Sequence, residues 1–243
     1  MVQCMTLPAV ASTFTFDLEA LNERFEMCSP QEILAWAVKN IPSGLVQSSS
    51  FSLLVITDML YRELQPNPPV PVIFLDTLHH FSETLATVER AKDRYNLDVR
   101  AYRALGVSNR EEFAAVYGDE LWAQDITRFH YVTKVEPLQR ALDEMNVVAW
   151  ITGRRREQSS TRERMPILEL DGEGRLKINP LANWTRKEVW NYTLKHNVPY
   201  NPLHDQGYAS IGDQPLTTPV EAGEHERAGR WRGSEKTECG IHV

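Results

Sequence analysis

The feature that most constrains this chain is an alternation. Short apolar runs at 45–47, 70–76 (VPVIFLD), 98–102 and 147–151 are separated by stretches whose apolar residues recur at helical spacing. Strands that are apolar on both sides of the pleat need both faces covered, and a parallel sheet flanked by helices provides that cover. The order therefore predicts an α/β fold built on a mostly parallel sheet. Helices are expected at 51–64, 81–95, 110–117, 136–146 and 184–197, the last capped by Thr185. A further helix starts at Ser29, where an N-cap serine, Pro30 at the first helical position and Glu32 three after the cap form a capping box.

Three connecting segments carry candidate chemistry. Ser48-Ser49-Ser50 lies between a strand and a helix, where backbone N–H groups and the helix dipole can hold an anion, although serine triplets also occur in plain loops. It lacks the GxxxxGK[ST] pattern, so hydrolysis of a nucleoside triphosphate is not supported. Residues 153–164 (GRRREQSSTRER) carry five arginines against two glutamates directly after an apolar strand. Such a run is either a solvated face or a phosphate site, and strand carboxyl ends are where open α/β sheets bind ligands. After about Tyr208 the chain turns polar and Gly/Pro-punctuated, as a tail that is either mobile or ordered by ligand.

The tail ends in Lys-Thr-Glu-Cys-Gly-Ile-His (236–242). Cys239 is a lone thiol with two readings, an incidental exposed cysteine or a nucleophile activated by Arg227, Arg230, Arg232 and Lys236, with Glu235 and Glu238 opposing them. The other cysteines, Cys4 and Cys28, are too few and too scattered for a disulfide framework, and no CxxC pair suggests zinc. His79 and His80 adjoin Asp76, but adjacent histidines point apart, so no metal is expected. A net charge of −7 argues against general binding to nucleic acid or a membrane surface, so an anionic ligand must meet a locally basic site. No run approaches the about 20 apolar residues of a membrane span, and the N-terminus has no basic stretch before its weak apolar one; a cytoplasmic protein is expected.

Read in order, six motifs make the chain resemble the sulfonucleotide reductases: Ser48-Ser49-Ser50-Phe51; Phe74-Leu75-Asp76-Thr77-Leu78; Lys134-Val135-Glu136-Pro137-Leu138; Gly153 with Arg155 and Gln158; Glu226-Arg227-Ala228-Gly229-Arg230-Trp231; and the terminal KTECGIH. The resemblance implies an adenine-nucleotide α-hydrolase-like (PP-loop type) domain over 1–207, including N-terminal helices, and a mobile catalytic tail over 208–243. It implies substrate contacts by Ser48, Ser49, Ser50, Phe51, Asp76, Thr77, Leu78, Lys134, Gly153, Arg155, Arg156, Gln158, Arg227, Arg230 and Trp231. Cys239 and His242 are the catalytic pair. Lys134, Arg227, Arg230 and His242 are the cations expected around the reacting group, and Arg155 with Arg156 would hold nucleotide phosphate.

Members that reduce adenylyl sulfate carry an iron–sulfur cluster on four cysteines, whose places fall here on Phe129, His130, Asp213 and Leu216. Without a thiolate there, a Cys₄ cluster cannot form. The resemblance thus points to the thioredoxin-dependent, cluster-free branch. Such an enzyme converts 3′-phosphoadenylyl sulfate (PAPS) to sulfite and adenosine 3′,5′-bisphosphate in sulfate assimilation toward cysteine and methionine. A homodimer with no bound cofactor is expected. Its rivals are cluster-free reduction of adenylyl sulfate, an ATP-pyrophosphatase-type nucleotidyltransferase and a non-catalytic nucleotide binder. The nucleotidyltransferase reading is opposed by 48–52 (SSSFS), which lacks the glycine pair and aspartate of the S-G-G-x-D-S turn.

Overall fold

A computed structural model of the chain describes residues 16–234, 236 and 238–242. Cys4 and Glu235 lie outside them. Strands β1 (Leu45–Ser48), β2 (Val72–Leu75), β3 (Val99–Tyr102), β4 (Ala149–Ile151), β5 (Leu168–Leu170) and β6 (Leu176–Ile178) form one sheet in the order β3-β2-β1-β4-β6-β5. All neighbours pair in parallel except β5 with β6. The helices are α1 (Leu18–Phe25), α2 (Pro30–Asn40), α3 (Val55–Asp58), α4 (Ser82–Tyr95), α5 (Arg110–Tyr117), α6 (Leu121–Gln124), α7 (Ile126–His130), α8 (Glu136–Glu144) and α9 (Arg186–Lys195). Wider π turns continue α3 through Met59–Leu64 and join α7 to α8 through Tyr131–Val135.

The two sheet faces are both buried, which is why the strands read as continuous apolar runs. Leu45, Val72, Phe74, Ala149 and Ile151 face one way and pack with Ile33, Leu34, Val55, Met59, Val88 and Val189. Val46, Ile73 and Trp150 face the other way and meet Leu138, Ala141 and Leu142 of α8. Chain order steps from β1 outward to β3, then returns to place β4 on the other side of β1. The order reverses between β1 and β4, and a crevice opens at the carboxyl ends of strands at such a switch point. The serine loop leaves β1 there and the arginine loop leaves β4.

Three differences from the sequence reading have physical reasons. The helix expected from residue 51 starts at Val55, because Phe51 takes a left-handed conformation (φ +54°) in a turn where its N–H bonds the Ser49 hydroxyl (3.1 Å). The β5–β6 hairpin was not foreseen, although L-E-L-D-G-E-G-R-L-K-I alternates around an Asp-Gly turn; Asp171 accepts there from the N–H groups of Glu173 and Arg175. The tail has short 3₁₀ turns at most, yet it is packed. Trp231 is 3% exposed, and Ile241 lies against the α8 face of the sheet.

Candidate active site

The crevice at the switch point is a cavity of about 270 Å³, the scale of a small-molecule site. Ser48, Ser49 and Ser50 form one wall, and Gly153, Arg154, Arg155 and Gln158 form the opposite wall. Lys134 enters from the π turn before α8, and the tail closes the cavity with Arg227, Arg230, Cys239 and His242. A Cβ at Gly153 would meet only Ile56, at 4.0 Å, so a side chain there would fill ligand space rather than strike the protein. Six cations, Lys134, Arg154, Arg155, Arg162, Arg227 and Arg230, line the cavity against two carboxylates, Asp213 and Glu226. A chain of net charge −7 has thus gathered a local positive excess.

Packing holds these charges in place. Arg155 is 2% exposed and bonds Glu226 of the tail (2.8 and 2.6 Å) and Glu157 (2.9 Å). Arg154 pairs with Glu169 and Asn179; removal from water and the neighbouring Arg162 lower its pKa to about 10. The same two causes bring Arg227 to about 10. Arg230 donates to the Ser210 hydroxyl (3.3 Å) and the Ile211 carbonyl (3.2 Å), and its guanidinium lies so close to Gly212 that a Cβ there would collide with it. Lys134 pairs with the fully buried Asp213. Burial raises the Asp213 pKa, but the charge and hydrogen bond of Lys134 together with His80 and Arg230 outweigh it and leave the group well below the usual carboxylate range.

Of the residues singled out from sequence, Ser48, Ser49, Ser50, Lys134, Gly153, Arg155, Gln158, Arg227, Arg230, Cys239 and His242 converge on the cavity. Five lie behind it. Phe51 is fully buried, edge-on to Phe74 at 5.4 Å, and anchors the serine turn to the core. Asp76 accepts from the Leu78 N–H (3.1 Å) and from Arg103 (2.7 Å), while Leu78 turns with φ +60°. With Thr77 they shape the loop that buries His79 and turns His80 toward the cavity. Trp231 donates to His130 (3.1 Å) and underlies Arg227 and Arg230, whose guanidinium carbons sit 5.1 and 4.6 Å from its ring. Arg156 points away from the cavity to Glu26 (2.9 and 2.6 Å) and Asn183, so it is tied to α1 rather than to a ligand.

His242 also departs from expectation. Its ring is stacked on Trp150 (5.7 Å, 10°). Loss of water and the charges of Arg154, Arg162, Lys177 and Arg227 hold its pKa well below 6.5. It is a neutral ring at pH 7, which removes it from the expected set of cations. His79 and His80 diverge, His79 toward Phe113 and Phe129 and His80 onto Phe74, so they share no metal. The places of the four cluster cysteines hold a different assembly. Phe129 packs on His79 (4.8 Å), His130 receives Trp231, Leu216 joins the Phe129 cluster, and Asp213 holds Lys134. That donor set does not fit a thiolate-bound cluster. Residues that sequence reasoning did not single out include Arg162 and His204; Arg162 stood in the basic run, whereas nothing local marked His204, which meets Ser52 at 2.9 Å.

A basic cavity at the turning point of a mostly parallel sheet, closed by a tail that carries one thiol, is an α/β architecture suited to binding a small anion. Comparison with known proteins narrows the class: the model of the phosphoadenosine phosphosulfate reductase domain matches residues 44–219, and the chain belongs to that family of oxidoreductases acting on sulfur. It is 50% identical over 228 residues to a probable phosphoadenosine phosphosulfate reductase of Schizosaccharomyces pombe, covering 93% of this chain and 84% of that one. It is also 44% identical to an adenosine 5′-phosphosulfate reductase of Salinibacter ruber (93% and 88% covered). The crystal structure of a PAPS reductase from Candida auris superimposes with a TM-score of 0.75 at 41% identity, covering 84% of this chain and 96% of that one. An FMN adenylyltransferase from Candida glabrata (TM-score 0.59, 17% identity, 91% and 76% covered) shares the fold alone.

Proposed function

We propose that this chain reduces PAPS to sulfite and adenosine 3′,5′-bisphosphate with two electrons from thioredoxin. The observation that carries the reading is Cys239 lining the same cavity as six cations, on a sheet whose family acts on this substrate class. In the first step the Cys239 thiolate attacks the sulfonate sulfur. The S–O bond to the nucleotide phosphate breaks, its electron pair leaves on the phosphate oxygen, and S-sulfocysteine remains. Thiolate and sulfonate repel one another, and Lys134, Arg227 and Arg230 offset that repulsion and the charge of the transition state. Arg227 and Arg230 line the cavity together with Cys239. Arg155 holds nucleotide phosphate, and His242 seats the chain end on Trp150 rather than supplying charge.

In the second step a thioredoxin thiolate attacks the Cys239 sulfur and sulfite departs with the electron pair of the S–S bond. The second thioredoxin thiol then closes its own disulfide and frees Cys239. Thioredoxin supplies the second thiol because the other described cysteine, Cys28, sits between α1 and α2 with its sulfur on the Arg24 carbonyl (3.5 Å), outside the cavity. No iron–sulfur cluster takes part, the enzyme works as a homodimer, and its place is the cytoplasm; no helix among the described residues is long and apolar enough to cross a membrane. Incubation with PAPS alone should add one sulfonate to the intact mass, mapped to Cys239 and absent in Cys239→Ser. An unmodified mass with PAPS bound would overturn the covalent step. Reduction of adenylyl sulfate is the second reading, favoured by the Salinibacter relative, and turnover of the two nucleotides side by side decides between them.

A further inference from the structure

Glu238 stands directly before the nucleophile, and its charge alone would make the thiolate harder to form. The geometry gives that charge another task. Arg162, 76 residues away in the arginine loop, reaches it with both arms of its guanidinium, Nε to Oε1 at 2.8 Å and Nη2 to Oε2 at 2.7 Å. Arg227 adds a bond at 3.2 Å, and the hydroxyls of Ser159 and Thr161 lie at 3.4 Å. The third nitrogen of Arg162 is held by Gln158 Oε1 (2.7 Å), which also accepts from the Arg155 N–H (3.0 Å). The fork is therefore also held from behind, within its own loop. Arg162 is 7% exposed, and although burial raises the Glu238 pKa, its bonds to Arg162 bring it below the ordinary value.

On the other side of Cys239 the chain turns at Gly240 (φ +90°), Ile241 packs on the α8 face of the sheet and His242 stacks on Trp150. The thiol is thus suspended between a charged anchor and an apolar one. We infer that Arg162 and Glu238 form the clasp that seats Cys239 over the cavity, with Gln158 orienting the fork; all three are positioning residues. This rests on the reading of Cys239 as the nucleophile. A bidentate arginine–carboxylate pair fixes direction as well as distance, which a single apolar contact does not. Seating the thiol converts a search by a loose tail into a reaction between groups already in place.

The test uses the full chain with Cys4 and Cys28 changed to serine, so that Cys239 is the one thiol read. In E238Q, which keeps the side-chain volume, iodoacetamide without nucleotide should alkylate Cys239 at least fivefold faster than in the parent. Affinity for adenosine 3′,5′-bisphosphate, measured by calorimetry, should hold within twofold, while the single-turnover rate of sulfonate transfer from PAPS falls at least tenfold. R162K, which keeps the charge and loses the fork, should fall between parent and E238Q. R162M combined with E238Q should be no slower than R162M alone, because the two residues act as one unit. Alkylation at the parental rate, or a rate that differs only through a shifted midpoint of its pH dependence, would overturn the clasp and leave Glu238 at most a modulator of thiol acidity. A parent that takes up no sulfonate while E238Q still exposes its thiol would sink the nucleophile reading and leave the clasp standing.

Discussion

The core of the sheet-bearing body and the cavity closed by the tail hold their charges in opposite ways. In the body, the fully buried Asp58 is saturated: Tyr95 donates to one oxygen (2.8 Å), Tyr192 to the other (2.9 Å), and Arg62 pairs from the next turn (3.5 Å). Burial raises the pKa of both tyrosines, and hydrogen bonds to carboxylates raise them further, so they remain donors. At the cavity, as at a few other buried groups of the body (His79, Arg110, His130 and Arg175), the bonding is incomplete. Asp213 Oδ1, Arg230 Nε, His242 Nδ1 and His80 Nδ1 are buried at the cavity without a hydrogen-bond partner among the described residues. Buried polar atoms are nearly always bonded, and those that are not tend to lie where a ligand acts. The contrast teaches that the Asp58 cluster is closed while the cavity keeps bonding capacity, so an anionic ligand can change the second without disturbing the first.

The sharpest way to break this contrast is Asp58→Ala. It leaves the buried Tyr95 hydroxyl without an acceptor, whereas Tyr192 keeps Glu63 (2.5 Å). The expected loss is about 3 kcal/mol of global stability, read from urea unfolding. Sulfonate transfer to Cys239 in the protein that remains folded should be unchanged. A variant that unfolded normally but transferred slowly would show that the body is coupled to the tail.

The same contrast decides what could be read from the sequence. Much of the body was legible because β2 and β4 are apolar at every position and because Ser29 and Thr185 carry complete capping boxes; α2 begins at Pro30 and α9 at Arg186 as those caps require. The cavity walls were legible as loops at strand ends. What stayed hidden depends on partners distant in sequence. Nothing near Glu238 announces Arg162, and its charge reads locally as an obstacle to Cys239. Arg156 looks identical to Arg155 in the sequence, but it opens a 3₁₀ turn that carries its side chain to Glu26 at the end of α1, while Arg155 lines the cavity. His242 reads as a cation until its packing on Trp150 is seen.

His130 lies on the seam, a body residue that accepts the Trp231 indole N–H of the tail. Burial, and then the Lys134 charge, lower its pKa to about 3. An unfolded imidazole takes its proton near 6.5. Above that pH both states are neutral and the contribution of His130 is fully present. Between about 6.5 and 3 the unfolded chain binds the extra proton, so stability falls as pH falls. His130→Gln offers the indole a carbonyl acceptor that does not titrate. It should remove about 1 kcal/mol of the acid-induced loss between pH 6.5 and 5.5, less than the about 1.4 kcal/mol of one full proton per pH unit because the unfolded imidazole is half protonated at 6.5, measured by urea unfolding at the two pH values. An unchanged slope would mean that His130 is protonated in the fold and that the seam is charged.

The smallest effect is expected where the tail carries a charge pair without burial. Arg232 binds Glu224 through both arms (3.0 and 2.8 Å), a geometry close to that of the Arg162–Glu238 fork. The difference is solvent. The Arg232 side chain is 46% exposed against 9% for Arg162, and exposed pairs are screened and lose in side-chain entropy much of what they gain. Glu224→Gln should therefore leave the urea midpoint, the alkylation rate of Cys239 and sulfonate transfer at parental values. If it released the thiol as E238Q is expected to, the tail would be held by its overall charge rather than at one seat. The two isosteric variants together thus separate a clasp from a general attraction, because they remove the same charge from two arginine forks of the tail, one buried and bonded further by Arg227 and one exposed.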